Sequence, residues 1–238
     1  MKKQFLVALH AQNDHQIFSE LSKILTPGGA DGVLLVNSGA HIKSTDEYPN
    51  LFDIAIAIKK QYPEKIIGIN PVDLLHFEAV NEMIHFEQME IETALDVLLT
   101  NDGGILEHRD SMDLYSPVEE GLKTMRAKYY GGIAFSNLPP AKDLAGVART
   151  ASQHFNTIVT SGDEAGLPPL LDKMKTIKSE AGDTPVAIAG GMTAENVGAY
   201  MPYADVFIVS TSLLEDRTNQ YVYNKLKVEE FAKAVSTN

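Results

Sequence analysis

Three side chains suited to proton transfer, His10, Asp102 and Asp163, stand at or just beyond the ends of short apolar runs. Histidine titrates near neutrality and can serve as general acid or base. Two aspartates from separate segments can divide those roles where their surroundings split their pKa values. Together with Glu164 the same groups could share a divalent cation, although no spacing matches a metal motif such as H-E-x-x-H, and no cofactor is identified. Asn37, Asn70, Asn137 and Ser161 occupy equivalent positions after other runs and suit the orientation of substrate hydroxyls. The plainer alternative for each polar residue is that it caps a helix or turns the chain, and for His10 that it is a hydrogen-bonded structural histidine.

A second constellation lies between Thr184 and Leu214. Gly190-Gly191 follows the apolar run Val186 to Ala189, and Ser210-Thr211-Ser212 follows Val206 to Val209. Glycines let the backbone approach a ligand closely, and Thr193 is a residue type that opens a helix. Unpaired N–H groups at such turns attract anions, so Gly190, Gly191, Ser210, Thr211 and Ser212, with Gly162 from a neighbouring loop, form a candidate phosphate site.

These residues need elements to carry them. Apolar runs alternate with helix-period segments: Phe5 to Leu9, Val33 to Val36, Ile66 to Ile69, Val97 to Leu99, Gly131 to Phe135, Thr157 to Thr160, Val186 to Ala189 and Val206 to Val209. Between them, Ile17, Phe18, Leu21 and Ile24 share one helix face, as do Leu51, Ile54, Ala55 and Ile58. Phe77, Val80 and Ile84 suggest a third. Ser116-Pro117-Val118-Glu119 combines an N-cap, a Pro at the first helical position and a capping-box Glu, which predicts a helix start at Ser116. The last helix is expected over Lys227 to Val235, and no repeat is evident beyond the strand–helix period itself. Eight buried strands with helical crossovers imply an α/β fold, a parallel eight-stranded (β/α)₈ TIM barrel. The 238 residues sit close to the roughly 250 of one such barrel, so residues 1–238 are read as a single domain. A doubly wound open sheet is disfavoured because His10-Ala11-Gln12-Asn13, rather than a Gly-rich turn, follows the first run.

Composition narrows the partners. At 44% hydrophobic and 22% charged residues the chain is globular, and a net charge of −12 repels nucleic acid and anionic membranes, so neither is an expected partner. A phosphorylated small molecule is not excluded, because a local nest of N–H groups overrides the global field. The absence of Cys removes disulfides and thiolate metal sites. The opening MKKQFLVALHAQNDH has an apolar core too short for a signal peptide, and no window nears the roughly 20 apolar residues of a membrane span, so a cytoplasmic protein is expected. No apolar stripe is diagnostic of a homo-oligomer, which stays open. Neither Walker A, G-x-G-x-x-G nor G-x-S-x-G occurs. Tyr200, Tyr203, Tyr221 and Tyr223 read as core edge or subunit contact, and His76 and His85 as helix-surface or packing residues.

IVTSGDEAGLPP (158–169), PVAIAGGMTAENVGAYMPYADVFIVSTSLLED (185–216) and the closing KVEEFAKAV resemble the BtpA family, with an echo in TNDGGILEHR (100–109). The resemblance is strongest over the C-terminal half and implies a barrel of the ribulose-phosphate-binding type. The family takes its name from a role in photosystem I biogenesis, so the likeness speaks to fold more than to reaction. The Gly-Gly-Met-Thr turn is also similar to that of phosphoribosylanthranilate isomerase, a feature many phosphate-binding barrels share. Three departures stand out: His10 is followed by AQNDH rather than a Pro-rich turn, Asn37 lacks the neighbouring carboxylate, and Ser136-Asn137 replaces a Lys-His pair.

Three functions are consistent with these residues. The leading one is an isomerase- or lyase-type enzyme on a phosphorylated sugar or phosphoribosyl compound, with His10, Asp102 and Asp163 as acid/base groups. The second is a non-catalytic regulatory or assembly factor that keeps the phosphate site. The third is metal-assisted hydrolysis.

Overall fold

In a computed structural model, which describes residues 2–11, 14–37, 51–105, 112–216 and 222–237, eight parallel strands close into one barrel. Strand β1 (Gln4–Ala11) is followed by α1 (Asp14–Ile24), β2 (Gly32–Asn37) by α2 (Leu51–Gln61), and β3 (Ile66–Asn70) by α3 (His76–Met89). Then come β4 (Val97–Thr100), α4 (Met112–Thr124), β5 (Lys128–Gly132), α5 (Leu144–His154), β6 (Thr157–Thr160), α6 (Leu171–Glu180), β7 (Val186–Ala189), β8 (Val206–Val209) and α7 (Lys225–Ser236). Pairing of Phe5 with Phe207 and Val7 with Val209 joins β1 to β8 and closes the ring. The expected TIM barrel is the observed fold. Gln12, Asn13, Tyr221 and the 106–109 part of the TNDGGILEHR segment, all invoked above, lie outside the described residues.

The period of two along each strand sorts side chains into two layers. Leu6, Leu34, Val97, Leu99, Tyr130, Val159, Ala187, Val206 and Ile208 fill the barrel interior. Their neighbours Phe5, Val7, Leu35, Leu98, Tyr129, Ile158, Ile188 and Phe207 face outward and pack under the helices. Each fully buried residue of this kind contributes about 1.5–3 kcal/mol relative to exposure.

Several boundaries differ from those the sequence predicts. Helix α4 begins at Met112, so Ser116 and Pro117 lie within it rather than at its start. Strand β5 ends at Gly132 rather than Phe135, because Ala134 adopts φ +48° and turns the chain inward. After β7 only a short 3₁₀ turn forms, Val197–Ala199. Its N-cap position is Asn196 rather than Thr193; Thr193 Oγ1 accepts from Asn196 N–H (3.3 Å) and Asn196 Oδ1 from Thr193 N–H (2.9 Å) in the turn ahead of it. Gly198 and Pro202 oppose a longer helix. On α3 the buried face is His76, Ala79, Val80 and Met83, and Phe77 is exposed. Helix α7 starts at Lys225, where Asn224 Oδ1 accepts from Leu226 and Lys227 N–H.

A repeat hidden at the level of sequence appears at the opposite, N-terminal end of the barrel. One residue before each even strand, Asp31, Asp96, Asn156 and Asp205 accept with their side chains from the N–H of Phe5, Ile67, Tyr129 and Val186 on the preceding strand. Each also donates its own N–H to the carbonyl of that same partner. Four strand starts are thus satisfied by one repeated two-strand device, which meets the requirement that buried backbone groups be paired. At Asp205, burial works against the charge, but bonds from Lys178, Val186 N–H and Lys3 outweigh it and hold the carboxyl below its ordinary 3.8. A carboxyl depressed in the folded state stabilises fully above the ordinary value, and that stability drains away as pH falls through the lower folded one. Urea titrations between pH 6 and pH 2 should therefore show an acid-side loss that is shallower in Asp205→Asn. At neutral pH that variant should be weaker than wild type by about 1.5–3 kcal/mol, the usual size for a hydrogen bond to a charged group. Equal slopes would remove Asp205 from this role.

Candidate active site

The C-terminal mouth of the barrel holds a cavity of about 510 Å³, a size that suits a small organic ligand. Parity decides what faces it. The inward positions carry His10 at the end of β1, Val36 near the end of β2, Asn70 at the end of β3, Asn101 after β4, Ala189 on β7 and Ser210 after β8. Ala8, Leu34, Leu99 and Ile208 form the floor beneath them, and Gly190, Gly191, Met192, Thr193, Thr211 and Ser212 form one wall.

That wall is rich in open donors. Gly190 N–H completes the sheet by bonding to Ile208 O (2.9 Å), and Thr193 N–H is taken by Asn196. Among the described residues, the N–H groups of Gly191, Met192, Thr211 and Ser212 have no protein acceptor. Gly190 and Gly191 sit at φ +88° and +72°, which is why glycine is needed there. The hydroxyls are less available than the amides. Ser212 Oγ donates to Met192 O (2.7 Å), tying the two loops together. Tyr223 Oη gives its only proton to Ala8 O (2.7 Å), so in the 3.1 Å contact with Ser210 it is Ser210 that donates. Tyr223 is fully buried, and burial pushes its hydroxyl up to about 12, so it stays protonated. Among the described residues, Thr211 of these three keeps a hydroxyl with no partner.

His10 is the one ionisable side chain among the described residues lining the cavity. Burial lowers its pKa below the ordinary 6.5, so the imidazole is neutral at pH 7 and able to accept a proton. Across the cavity Asn70 donates from Nδ2 to Asn101 Oδ1 (3.1 Å), and Asn101 Nδ2 has no acceptor among the described residues.

The remaining residues proposed from the sequence lie away from the cavity lining. Asn37 points outward: its Nδ2 donates to the Asp73 carboxylate and its Oδ1 accepts from Val72 N–H (2.7 Å), tying β2 to the loop after β3. Asp102 Oδ1 accepts from Gly104 N–H (2.7 Å) within its own loop. Asn137 is exposed in the turn after β5. Ser161 is buried, accepting from Ser136 N–H (3.0 Å) and donating to Gly162 O (3.1 Å). Gly162 and Gly191 both press on the Leu167–Pro168 peptide, where neither leaves room for a Cβ. Asp163 is 70% exposed, 3.4 Å from Lys173 Nζ. Among the described residues no three of His, Asp and Glu gather as metal ligands, and no helix is long and apolar enough to cross a membrane.

In sequence the charge of Asp102 draws attention away from its neighbour Asn101. Counting by twos from Val97 and Leu99 selects Asn101 instead. Phe135 and Lys173 carried no comparable signal. Phe135 sits in a run that reads as strand, yet it folds back into the barrel interior with Leu138 packed nearby.

The C-terminal loops and α7 are also where relatives are detected. Residues 139–237 match the model of the BtpA family. The BtpA-matching segment includes both loops that carry the open N–H groups, and it falls where the sequence resemblance was strongest. No curated protein matches the chain. Among solved structures, phosphoribosyl anthranilate isomerase from Thermus thermophilus superposes with a TM-score of 0.60 at 14% identity, covering 98% of each chain. Mycobacterium tuberculosis tryptophan synthase gives 0.61 at 11% identity, over 100% of this chain and 94% of that one. The Pyrococcus furiosus tryptophan synthase complex gives 0.62 at 13%, over 99% and 98%. At such identities the likeness establishes the shared barrel fold.

Proposed function

We propose that the protein binds a phosphorylated small molecule, of the sugar-phosphate or phosphoribosyl type, and catalyses isomerase- or lyase-type proton transfer on it. The observation that carries this reading is the set of four unpaired N–H groups, from Gly191, Met192, Thr211 and Ser212, on one wall of the cavity. A phosphate oxygen accepts several such bonds at once, and preorganised backbone dipoles hold an anion without a lysine or arginine. The BtpA match over the same loops, and the likeness in fold to a phosphoribosyl anthranilate isomerase, support it.

With the phosphate on that wall, the rest of the ligand lies over Ala8, Leu34 and Leu99, between His10 and the Asn70–Asn101 pair. Neutral His10 takes a proton from carbon next to a carbonyl, and Asn101 Nδ2 donates to the oxygen on which charge develops. Asp102 and Asp163, each engaged outside the cavity, are not required by this scheme. A second reading, a binding or assembly factor without turnover, is favoured by one observation: apolar Phe135 and Leu138, rather than catalytic groups, occupy the interior beside β5 and β6.

Thermal denaturation with ribose 5-phosphate, ribulose 5-phosphate and their dephosphorylated sugars separates these ideas. The phosphate esters should raise stability, by about 2.7 kcal/mol at a hundred times Kd, and the free sugars should not. Turnover of an ester that is lost in His10→Gln supports the enzyme, and binding without turnover the second reading. Equal effects of ribose and ribose 5-phosphate would refute phosphate recognition.

A further inference from the structure

We propose that Phe135 sets the ligand class of this site: it occupies the β5–β6 half of the barrel mouth, so the cavity takes an open-chain or single-ring phosphate ester and gives a second ring no place to bury. This rests on the phosphate reading above for the location of the ligand's anionic end, and it concerns the opposite side of the cavity.

The cavity wall is drawn from β1 to β4, β7 and β8 and from the loop after β6, with no residue of β5 or of the loop following it. The reason is visible in the packing. Phe135 is buried in the same cluster as the cavity-floor residues Leu34, Leu99 and Ile208, beside Tyr130 and Val159. It is there because the chain leaves β5 abruptly. Ile133 N–H still bonds to Val159 O (2.8 Å), but Ala134 turns at φ +48°, a conformation that costs a non-glycine residue energy and persists only where its surroundings enforce it.

The enforcement comes from α6. Lys173 Nζ donates to Ala134 O (2.6 Å) and to Ser161 O (2.8 Å), so one ammonium group clamps the carbonyls of two loops. Ser136 N–H to Ser161 Oγ and Leu138 N–H to Phe135 O (2.9 Å) fasten the other side of the turn. Lys173 is thus a positioning residue: it never reaches the ligand and acts by holding Phe135 inward. Burial lowers its pKa, against the pull of Asp163, which fits an ammonium spent on carbonyls rather than on solvent.

Isothermal titration with ribose 5-phosphate and uridine 5′-monophosphate reads the claim as a ratio. Wild type should bind the nucleotide no more tightly than the sugar phosphate. In Phe135→Ala the nucleotide should gain at least tenfold relative to ribose 5-phosphate, and in Lys173→Met it should gain in the same direction by less. Phe135→Leu, which keeps the interior filled and folds more securely, should show a gain between wild type and Phe135→Ala. A phosphate-free arm uses phenol, which should bind Phe135→Ala and not wild type. Ratios within twofold of wild type in all three variants, or wild type that prefers the nucleotide tenfold, would overturn the proposal. If no phosphate compound binds any variant, phenol decides: uptake by Phe135→Ala alone leaves Phe135 as the group that fills this half of the barrel mouth and discards only the phosphate reading, and no uptake discards both.

Discussion

Gly191→Ala is expected to destabilise the protein by about 3 kcal/mol or more and to abolish ligand binding, whereas Gly190→Ala should lose binding at a cost near 1 kcal/mol. The two glycines are adjacent and both left-handed, at φ +88° for Gly190 and +72° for Gly191. Their surroundings differ. A Cβ on Gly191 would run into the Leu167–Pro168 backbone, so the whole loop after β6 must shift. A Cβ on Gly190 meets nothing within 4 Å, in a residue that lines the cavity, so it intrudes on the ligand and leaves the protein folded. Chemical denaturation with binding measured on the same samples checks this. Equal stability losses at the two positions would show that the loop after β6 does not pin the glycine turn.

His10→Gln carries the second large effect, a loss of roughly 10²–10⁴-fold in turnover, the usual contribution of a general base. Gln fills similar space and keeps polar contacts but cannot accept the proton. The pH dependence follows from burial. Because the folded pKa lies below 6.5, the base form is already present at neutral pH, and the acid limb of kcat/KM should fall below pH 6.5. The same shift has a stability consequence of defined sign. Between 6.5 and the lower folded value the unfolded chain binds a proton that the folded chain refuses, so stability decreases as pH drops through that window. His10→Gln should flatten this slope. An unchanged pH–rate profile in the variant would assign the base to another residue.

The barrel was legible because its signal is local and repeated eight times: apolar runs of four or five residues, each followed by a turn, leave little freedom of architecture. The glycine wall was legible for a similar reason, since Gly190-Gly191 and Ser210 to Ser212 end consecutive strands and must meet. The opposite wall was harder to read. Asn37 and Asn70 both follow apolar runs, yet one bonds to the loop after β3 and the other faces the cavity, because strand parity rather than polarity decides direction. The hydroxyls misled in another way. Ser210 and Ser212 look like phosphate donors until Tyr223 and Met192 O, brought close only by folding, are seen to take their protons. Phe135 shows the limit most clearly: an aromatic residue at the end of a β-like run reads as core, and only the reversal at Ala134 turns it into the barrel interior under the β5–β6 side of the mouth. The Asp/Asn device before the even strands was hidden because one polar residue per two strands is too sparse to register as a sequence repeat.

The proposed chemistry requires an anion at the four open amides. Titrating inorganic phosphate into ¹⁵N-labelled protein, with sulfate in parallel to separate anion binding from phosphate protonation, tests this directly. Saturable downfield shifts of the Gly191, Met192, Thr211 and Ser212 N–H resonances, reduced in Gly190→Ala, are the predicted result. Saturable shifts confined to other residues, or none at these four, would contradict it.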